Sequence, residues 1–361
     1  MSEEIRPKRL TQSNAMADDK QRIDALINRG LLDQWYAVAK SVQVKPGAPH
    51  AVKALGRNLV LWRDSGGQPH CLEDYCPHRG AKLSRGEVLG DNIACRYHGV
   101  TLDGSGTVVR VPAMPGCALE GRRPVESFAV AESNDAIFVY FASAEHPQPA
   151  PLTLPEEFTS PEWTGILCVA PWECNYRFAL DNVADPMHGC YLHANSFTLA
   201  FGAKQDQMRI ERTATGFIVS RVEQQGENFD WTEMVTETAA PYCRLDIPYP
   251  PAAGPGGPFR IIGYITPIDE DNCLVFFWRF RKVQGLAREV WRFLYRATLE
   301  ERHWHVLEQD REMLENMPAD ARKREMLYQH DIGVARARQA LVNKAKAQLA
   351  ARDAAAARDA G

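Results

Sequence analysis

Residues 76–80 read Cys76-Pro77-His78-Arg79-Gly80, and after an intervening stretch the theme returns as Cys95-Arg96-Tyr97-His98-Gly99. Each arm carries one thiol and one imidazole within a single turn. Each then ends in a glycine that lets the backbone fold back towards whatever the two side chains hold. Three readings compete. Four unrelated residues would not be expected to form two such pairs. A structural zinc site pairs like with like, as C-x2-4-C and H-x3-5-H, whereas here each arm mixes the two ligand types. A [2Fe–2S] cluster with two thiolates on one iron and two imidazoles on the other suits that mixture. Histidine in place of thiolate raises the reduction potential and makes the centre a one-electron carrier.

Working outward from these arms, residues 35–144 read as short apolar runs broken by Gly, Pro, Asp and Asn, a β-rich domain. Prolines at 147, 149, 151 and 155 mark 145–157 as an extended linker. Residues 158–345 mix strands and helices. The runs 216–222, 259–268 and 273–283 are strands, the last two forming a hairpin around Asp269-Glu270-Asp271-Asn272. The Pro- and Gly-rich 248–258 reads as a loop near a pocket or interface. One long helix is expected over about 285–316 and a second from about Ala319 to the end. Residues 1–20 are expected to be a disordered tail, and 346–361 an Ala-rich C-terminal tail, helical but fraying.

With 45% hydrophobic and 24% charged residues in 361, the composition is globular, and a formal charge of −4 argues against nucleic-acid binding. The chain shows no long apolar run and no apolar signal core near its start, so a cytoplasmic protein is expected. Nine cysteines, an odd number without regular spacing, argue for buried thiols rather than a disulfide framework.

The string C-P-H-R-G-A-x-L-S-x-G…C-x-Y-H-G…D-x-x-G resembles a Rieske domain over about 35–142. Cys76, His78, Cys95 and His98 would then hold the cluster. One departure is Val100, which stands where that family usually has Trp.

A second pattern lies at 181–193: Asp181-Asn182-Val183-Ala184-Asp185-Pro186-Met187-His188-Gly189-Cys190-Tyr191-Leu192-His193. His188 and His193 would stand about 140° apart on a regular helix, poor geometry for one metal. The backbone must therefore be irregular between them, as Pro186 and Gly189 allow. Alone, the pair reads as two ordinary helix histidines. The string D-N-x-x-D-x-x-H-x-x-x-x-H resembles the iron motif of Rieske non-haem iron oxygenase α subunits, in the phthalate/vanillate-type α3 group. A carboxylate must complete such a site. Asp310 is the candidate: Val306, Leu307, Met313 and Leu314 surround it at helical spacing, so it sits within an inward apolar stripe.

The resemblance implies an α+β fold, with a β-rich Rieske domain followed by a helix-grip catalytic domain, an antiparallel sheet around a long helix. It implies a [2Fe–2S] cluster, mononuclear Fe(II) on His188, His193 and Asp310, and a homotrimer. In that trimer Asp185 would bridge a neighbour's His98 to its own His188, with Asn182 in support. It implies a terminal oxygenase that takes electrons from NAD(P)H through a separate reductase, directly or by way of a ferredoxin. The expected reaction is hydroxylation or oxidative demethylation of a small aromatic or polar substrate, with ring cis-dihydroxylation as the alternative. A Rieske electron carrier without oxygenase activity would not need His188, His193 or Asp310. A zinc hydrolase would want closer histidines with a Glu between them.

Overall fold

The computed structural model describes residues 6–196, 198–224, 226, 228–249, 256–318 and 320–359. Helix α1 (Arg6–Arg29) opens the chain. The first domain follows as β1 (Gln34–Lys40), β2 (His50–Ala54), β3 (Arg57–Arg63), β4 (Pro69–Glu73), β5 (Glu87–Leu89), β6 (Asn92–Ala94), β7 (Thr101–Leu102), β8 (Val108–Arg110), β9 (Ser127–Phe128), β10 (Val130–Ser133) and β11 (Ala136–Phe141). They form three small antiparallel sheets, ordered β1-β11-β10, β2-β3-β4-β9 and β5-β6-β7-β8. The last of these carries the second Cys/His arm between β6 and β7, and the first arm leaves β4.

The linker is extended but not loose. Leu152 and Leu154 pack into the core between the domains, and Ala150 O accepts from the Trp35 indole at 2.7 Å. A short helix, α2 (Glu156–Thr159), then leads into β12 (Trp163–Trp172). Helices α3 (Tyr176–Val183) and α4 (Gly189–Leu192) precede β13 (Met208–Arg212), β14 (Gly216–Arg221), β15 (Trp231–Val235), β16 (Tyr242–Ile247), β17 (Phe259–Pro267) and β18 (Cys273–Lys282). These build one antiparallel sheet in the order β12-β18-β17-β16-β15-β14-β13. Residues 250–255 of the expected loop lie outside the described residues.

The two faces of this sheet have different partners, and the period of two in a strand explains why. On β18, Phe276, Trp278 and Phe280 face Ile262, Tyr264, Trp35 and Phe138, joining the sheet to the first domain. Burial of this aromatic set makes the two domains one packed body; truncating Trp278 to alanine should cost about 3–5 kcal/mol. The alternate residues Val275 and Phe277 face the helices. There lie α5 (Gly285–Leu294) and α6 (Glu300–Glu315), joined by a π-helical turn at Tyr295–Leu299 rather than by regular α-helix.

Two expectations about helices need correction. The segment expected as an N-terminal tail is helical from Arg6, and Ile23, Leu26 and Ile27 pack against the catalytic domain. Residues 1–5 lie outside the described residues. The second long helix, expected from about Ala319, begins later: Ala319 lies outside the described residues, α7 (Ala321–Arg324) is a single turn, and α8 (Ile332–Asp359) forms only after it. The Ala-rich stretch is helical, as expected, and continues α8 through Asp359. Ala345 is fully buried against the core shared with α1, so alanine here serves close packing. The aromatic residues of 273–283 also divide: only Phe277 reaches a cavity, and its neighbours are core.

Candidate metal centres and active site

The two Cys/His arms share one backbone plan. Cys76 N donates to Ala81 O at 2.7 Å and Gly80 N to Cys76 O at 2.8 Å. In the second arm Cys95 N donates to Val100 O and Gly99 N to Cys95 O, both at 2.8 Å. Gly80 and Gly99 close these turns at φ +75° and +72°, a region that side chains disfavour. Cys76 and Cys95 are buried in the domain core, whereas His78 and His98 are exposed with ring centroids 4.6 Å apart. The thiols thus point inward and the imidazoles towards solvent. Burial, reinforced by the neighbouring Cys95 thiol, pushes the Cys76 thiol up to about 11, so a metal must displace the proton to bind there. Soft sulfur donors inside and imidazoles at the rim suit a mixed-ligand iron–sulfur cluster. Val100 is buried in the same core, and its carbonyl closes the second arm.

His188 and His193 leave the chain from irregular backbone. Asp185 caps a 3-10 turn, Pro186–His188, by accepting from Met187 N at 2.9 Å through its carboxylate. One α turn follows, and His193 ends it. This break brings the ring centroids within 5.2 Å. Asp310 reaches them from α6, where His303, Leu307, Asp310 and Leu314 form the buried face. Its Oδ1 lies 3.5 Å from His188 Nε2 and 3.2 Å from His193 Nε2. All three ligand atoms fall within 4.8 Å of one another. Asp310 Oδ1 is buried and has no hydrogen-bond partner, an orphan acceptor aimed where a cation would sit. Two imidazoles and one carboxylate are the donor set of a non-haem Fe(II) site. Burial opposes charge on His193, but the negative charge of the Asp310 carboxylate beside it, with the hydrogen bond to Gln309, raises its pKa above the ordinary histidine value.

The contact that orients His188 differs in one atom from what the resemblance implies. His188 Nδ1 meets the main-chain carbonyl of Asp185 at 2.5 Å, not its carboxylate. Burial raises the Asp185 pKa, and Asp185, Asn182 and His188 line an outer groove rimmed by Met313, Met317 and Leu327. Gln309 escaped the sequence reading: its Oε1 holds His193 Nδ1 at 2.9 Å. Its one signal is adjacency to Asp310.

On the inner side the triad opens into a cavity of about 710 Å3, solvent mouth included. Its walls include Phe229, Phe259, Ile261, Phe277 and Leu307. Arg279 and His303 add polar groups to this lining. His303 Nε2 bonds the Tyr249 hydroxyl at 2.7 Å. Burial, with the charge of Arg279, holds the His303 imidazole down at about 3, so it is neutral.

Residues 34–129 match the Rieske [2Fe-2S] domain, and residues 172–347 match the vanillate O-demethylase oxygenase C-terminal domain. The chain belongs to the Rieske non-haem iron oxygenase α subunits. Members of this family use a [2Fe–2S] cluster and mononuclear iron, and the donor sets described above fit both. The oxygenase component of 3-ketosteroid-9-alpha-monooxygenase from Rhodococcus rhodochrous is 34% identical over 167 residues, 44% of this chain and 42% of that protein. The vanillate O-demethylase oxygenase subunit of Pseudomonas sp. (strain HR199 / DSM 7063) is 34% identical over 170 residues, 45% of each. The chain spans less than half the length of the curated relatives it matches. The terminal oxygenase of carbazole 1,9a-dioxygenase from Novosphingobium sp. KA1 shares the fold, with a TM-score of 0.71 at 22% identity over 89% of this chain and 94% of that one. Among the described residues of this Rieske oxygenase subunit, no helix is long and apolar enough to cross a membrane.

Proposed function

We propose that this Rieske oxygenase subunit is the terminal oxygenase of a multicomponent system that hydroxylates or oxidatively demethylates a small aromatic substrate. The observation that carries the reading is the convergence of His188, His193 and Asp310 in the wall of a largely apolar cavity. The match to a vanillate O-demethylase C-terminal domain, and a relative named as a monooxygenase, favour this chemistry over ring cis-dihydroxylation. When bound, the cluster supplies single electrons, and the mononuclear iron binds and reduces O2.

In this reading Cys76, His78, Cys95 and His98 would hold the cluster, and the exposed rims of His78 and His98 would bring it within reach of an electron donor across a protein–protein contact. Asp310 and the two histidines would hold the iron, and the cavity that they line would admit O2 and substrate. Phe229, Phe259 and Phe277 exclude water and orient a ring. Asp185 lies at the outer groove, where a neighbouring copy's His98 would dock in a homotrimer. The solved carbazole 1,9a-dioxygenase oxygenase–ferredoxin complexes support a protein electron donor. A separate NAD(P)H-dependent reductase, directly or through a ferredoxin, would supply the electrons.

The test is metal and sulfide content with an EPR spectrum of dithionite-reduced protein. About three irons and two acid-labile sulfides per chain, with the low average g of a histidine-ligated cluster, are expected. Asp310→Ala should lower the iron to about two and leave the sulfide unchanged. Zinc without sulfide would overturn the proposal.

A further inference from the structure

We infer that Arg279 anchors a carboxylate on the molecule that enters the cavity, so the substrate is an aromatic acid. The inference rests on the oxygenase reading above and names the substrate class of the same site.

Strand β18 presents Val275, Phe277 and Arg279 in turn towards the helices. Arg279 is only 3% exposed and lines the cavity. Among the described residues its one hydrogen-bond partner is the Tyr295 hydroxyl, presented by the π-helical turn, and no carboxylate lies within 4.0 Å of it. The rings of Trp304 and Tyr295, at 5.3 and 5.9 Å, stabilise the guanidinium only in part. Other arginines of the same domain are treated differently. Arg244 and Arg260 share Glu157, and Arg221 is paired with Asp206. A desolvated cation without a counter-charge is costly, and an entering anion removes that cost.

The placement also fits a ligand of limited length. Arg279 lies over the Tyr295 ring, whose centroid is 5.5 Å from that of His303, and His303 shares the buried face of α6 with Asp310. Residues 303 and 310 are about 10 Å apart along a regular helix. A benzoate whose carboxylate meets Arg279 would rest its ring among Phe229, Phe259 and Phe277. Its far substituent would then point at the metal triad. Bidentate geometry between guanidinium and carboxylate would fix that direction.

Calorimetric titration of the purified holoenzyme with 4-methoxybenzoate and with the neutral 4-methoxybenzamide tests this. The acid should bind at least tenfold more tightly than the amide. Arg279→Gln should weaken the acid by about 10- to 100-fold and leave the amide nearly unchanged. Arg279→Lys should recover part of the loss, and the cluster absorbance of each variant reports folding. Equal affinities for acid and amide, an unaffected Arg279→Gln, or failure of the wild type to bind either probe would overturn the inference. Oxygen uptake with reductant separates the two readings. Acid-selective binding without any uptake removes the oxygenase reading alone. Uptake that is as fast with the amide as with the acid removes the anchor alone.

Discussion

Gln309 Oε1 lies 2.9 Å from His193 Nδ1, while the next residue, Asp310, places a carboxylate oxygen 3.2 Å from Nε2 of the same ring. One helical turn of α6 therefore addresses both nitrogens of one imidazole. A ligand whose far nitrogen is held loses less freedom on binding metal and keeps one ring orientation. Gln309→Leu should leave the cluster spectrum unchanged and weaken Fe(II) binding at the mononuclear site by about 10- to 100-fold. Gln309→Glu should retain most of the affinity. Titration of iron-depleted protein with Fe(II) checks both, and unaltered affinity in the leucine variant would remove Gln309 from the site.

Asp185 touches its own His188 through the main chain and turns a half-buried carboxylate to the outer groove. Asp185→Asn preserves the main-chain contact and the cap on Met187. Iron and sulfide content should stay at wild-type values while substrate-coupled turnover falls by a factor of about 100 or more. Single-turnover oxidation of the pre-reduced cluster is the direct measurement. A normal rate would show that electrons do not pass by this residue.

His303 ties acid sensitivity to the cavity. Its imidazole is held at about 3, against about 6.5 when unfolded. Between these values the unfolded chain binds more protons, so stability is complete above about pH 6.5 and is lost as pH falls towards 3. At pH 5 the loss from this one group should be about 2 kcal/mol relative to pH 7.5. His303→Gln should flatten that part of the profile. Urea midpoints at the two pH values test it; parallel profiles for wild type and variant would contradict the assignment.

Gly86 lies between the two cluster arms, in contact with the second. A Cβ at this position would meet the carbonyl oxygen of Ala94 at 2.1 Å and that of Leu83 at 2.9 Å. Ala94 immediately precedes Cys95, so relief of the clash displaces the second arm. Gly86→Ala should cost about 2 kcal/mol and lower the cluster content of purified protein. Sulfide analysis beside a thermal melt measures both, and full cluster occupancy would show that the arm can yield.

The Cys/His arms were legible because cluster ligation is local chemistry. Each arm is one tight turn, and its thiol, imidazole and glycine are adjacent in the chain. The broken backbone between His188 and His193 was also legible, from a spacing that one regular helix cannot use. Asp310 could be proposed because an acid inside an apolar stripe needs a reason. Gln309 and Arg279 were not legible. A glutamine on a helix and an arginine in a strand are ordinary residues until their partners across the fold are known. The stretch expected as a tail is helical from Arg6, for the related reason that polar helices such as α1 are stabilised mainly by what they pack against.

Local order along this chain thus settled which atoms can bind metal, since ligand type and short spacing survive in any arrangement of the larger elements. The tertiary structure decided what surrounds those atoms. It set Asp310 against two histidines more than a hundred residues away, and it turned Phe276, Trp278 and Phe280 to a domain contact and Phe277 and Arg279 to the cavity. A period of two assigns residues to opposite faces of a strand, but only the elements packed on each face determine which face becomes a site.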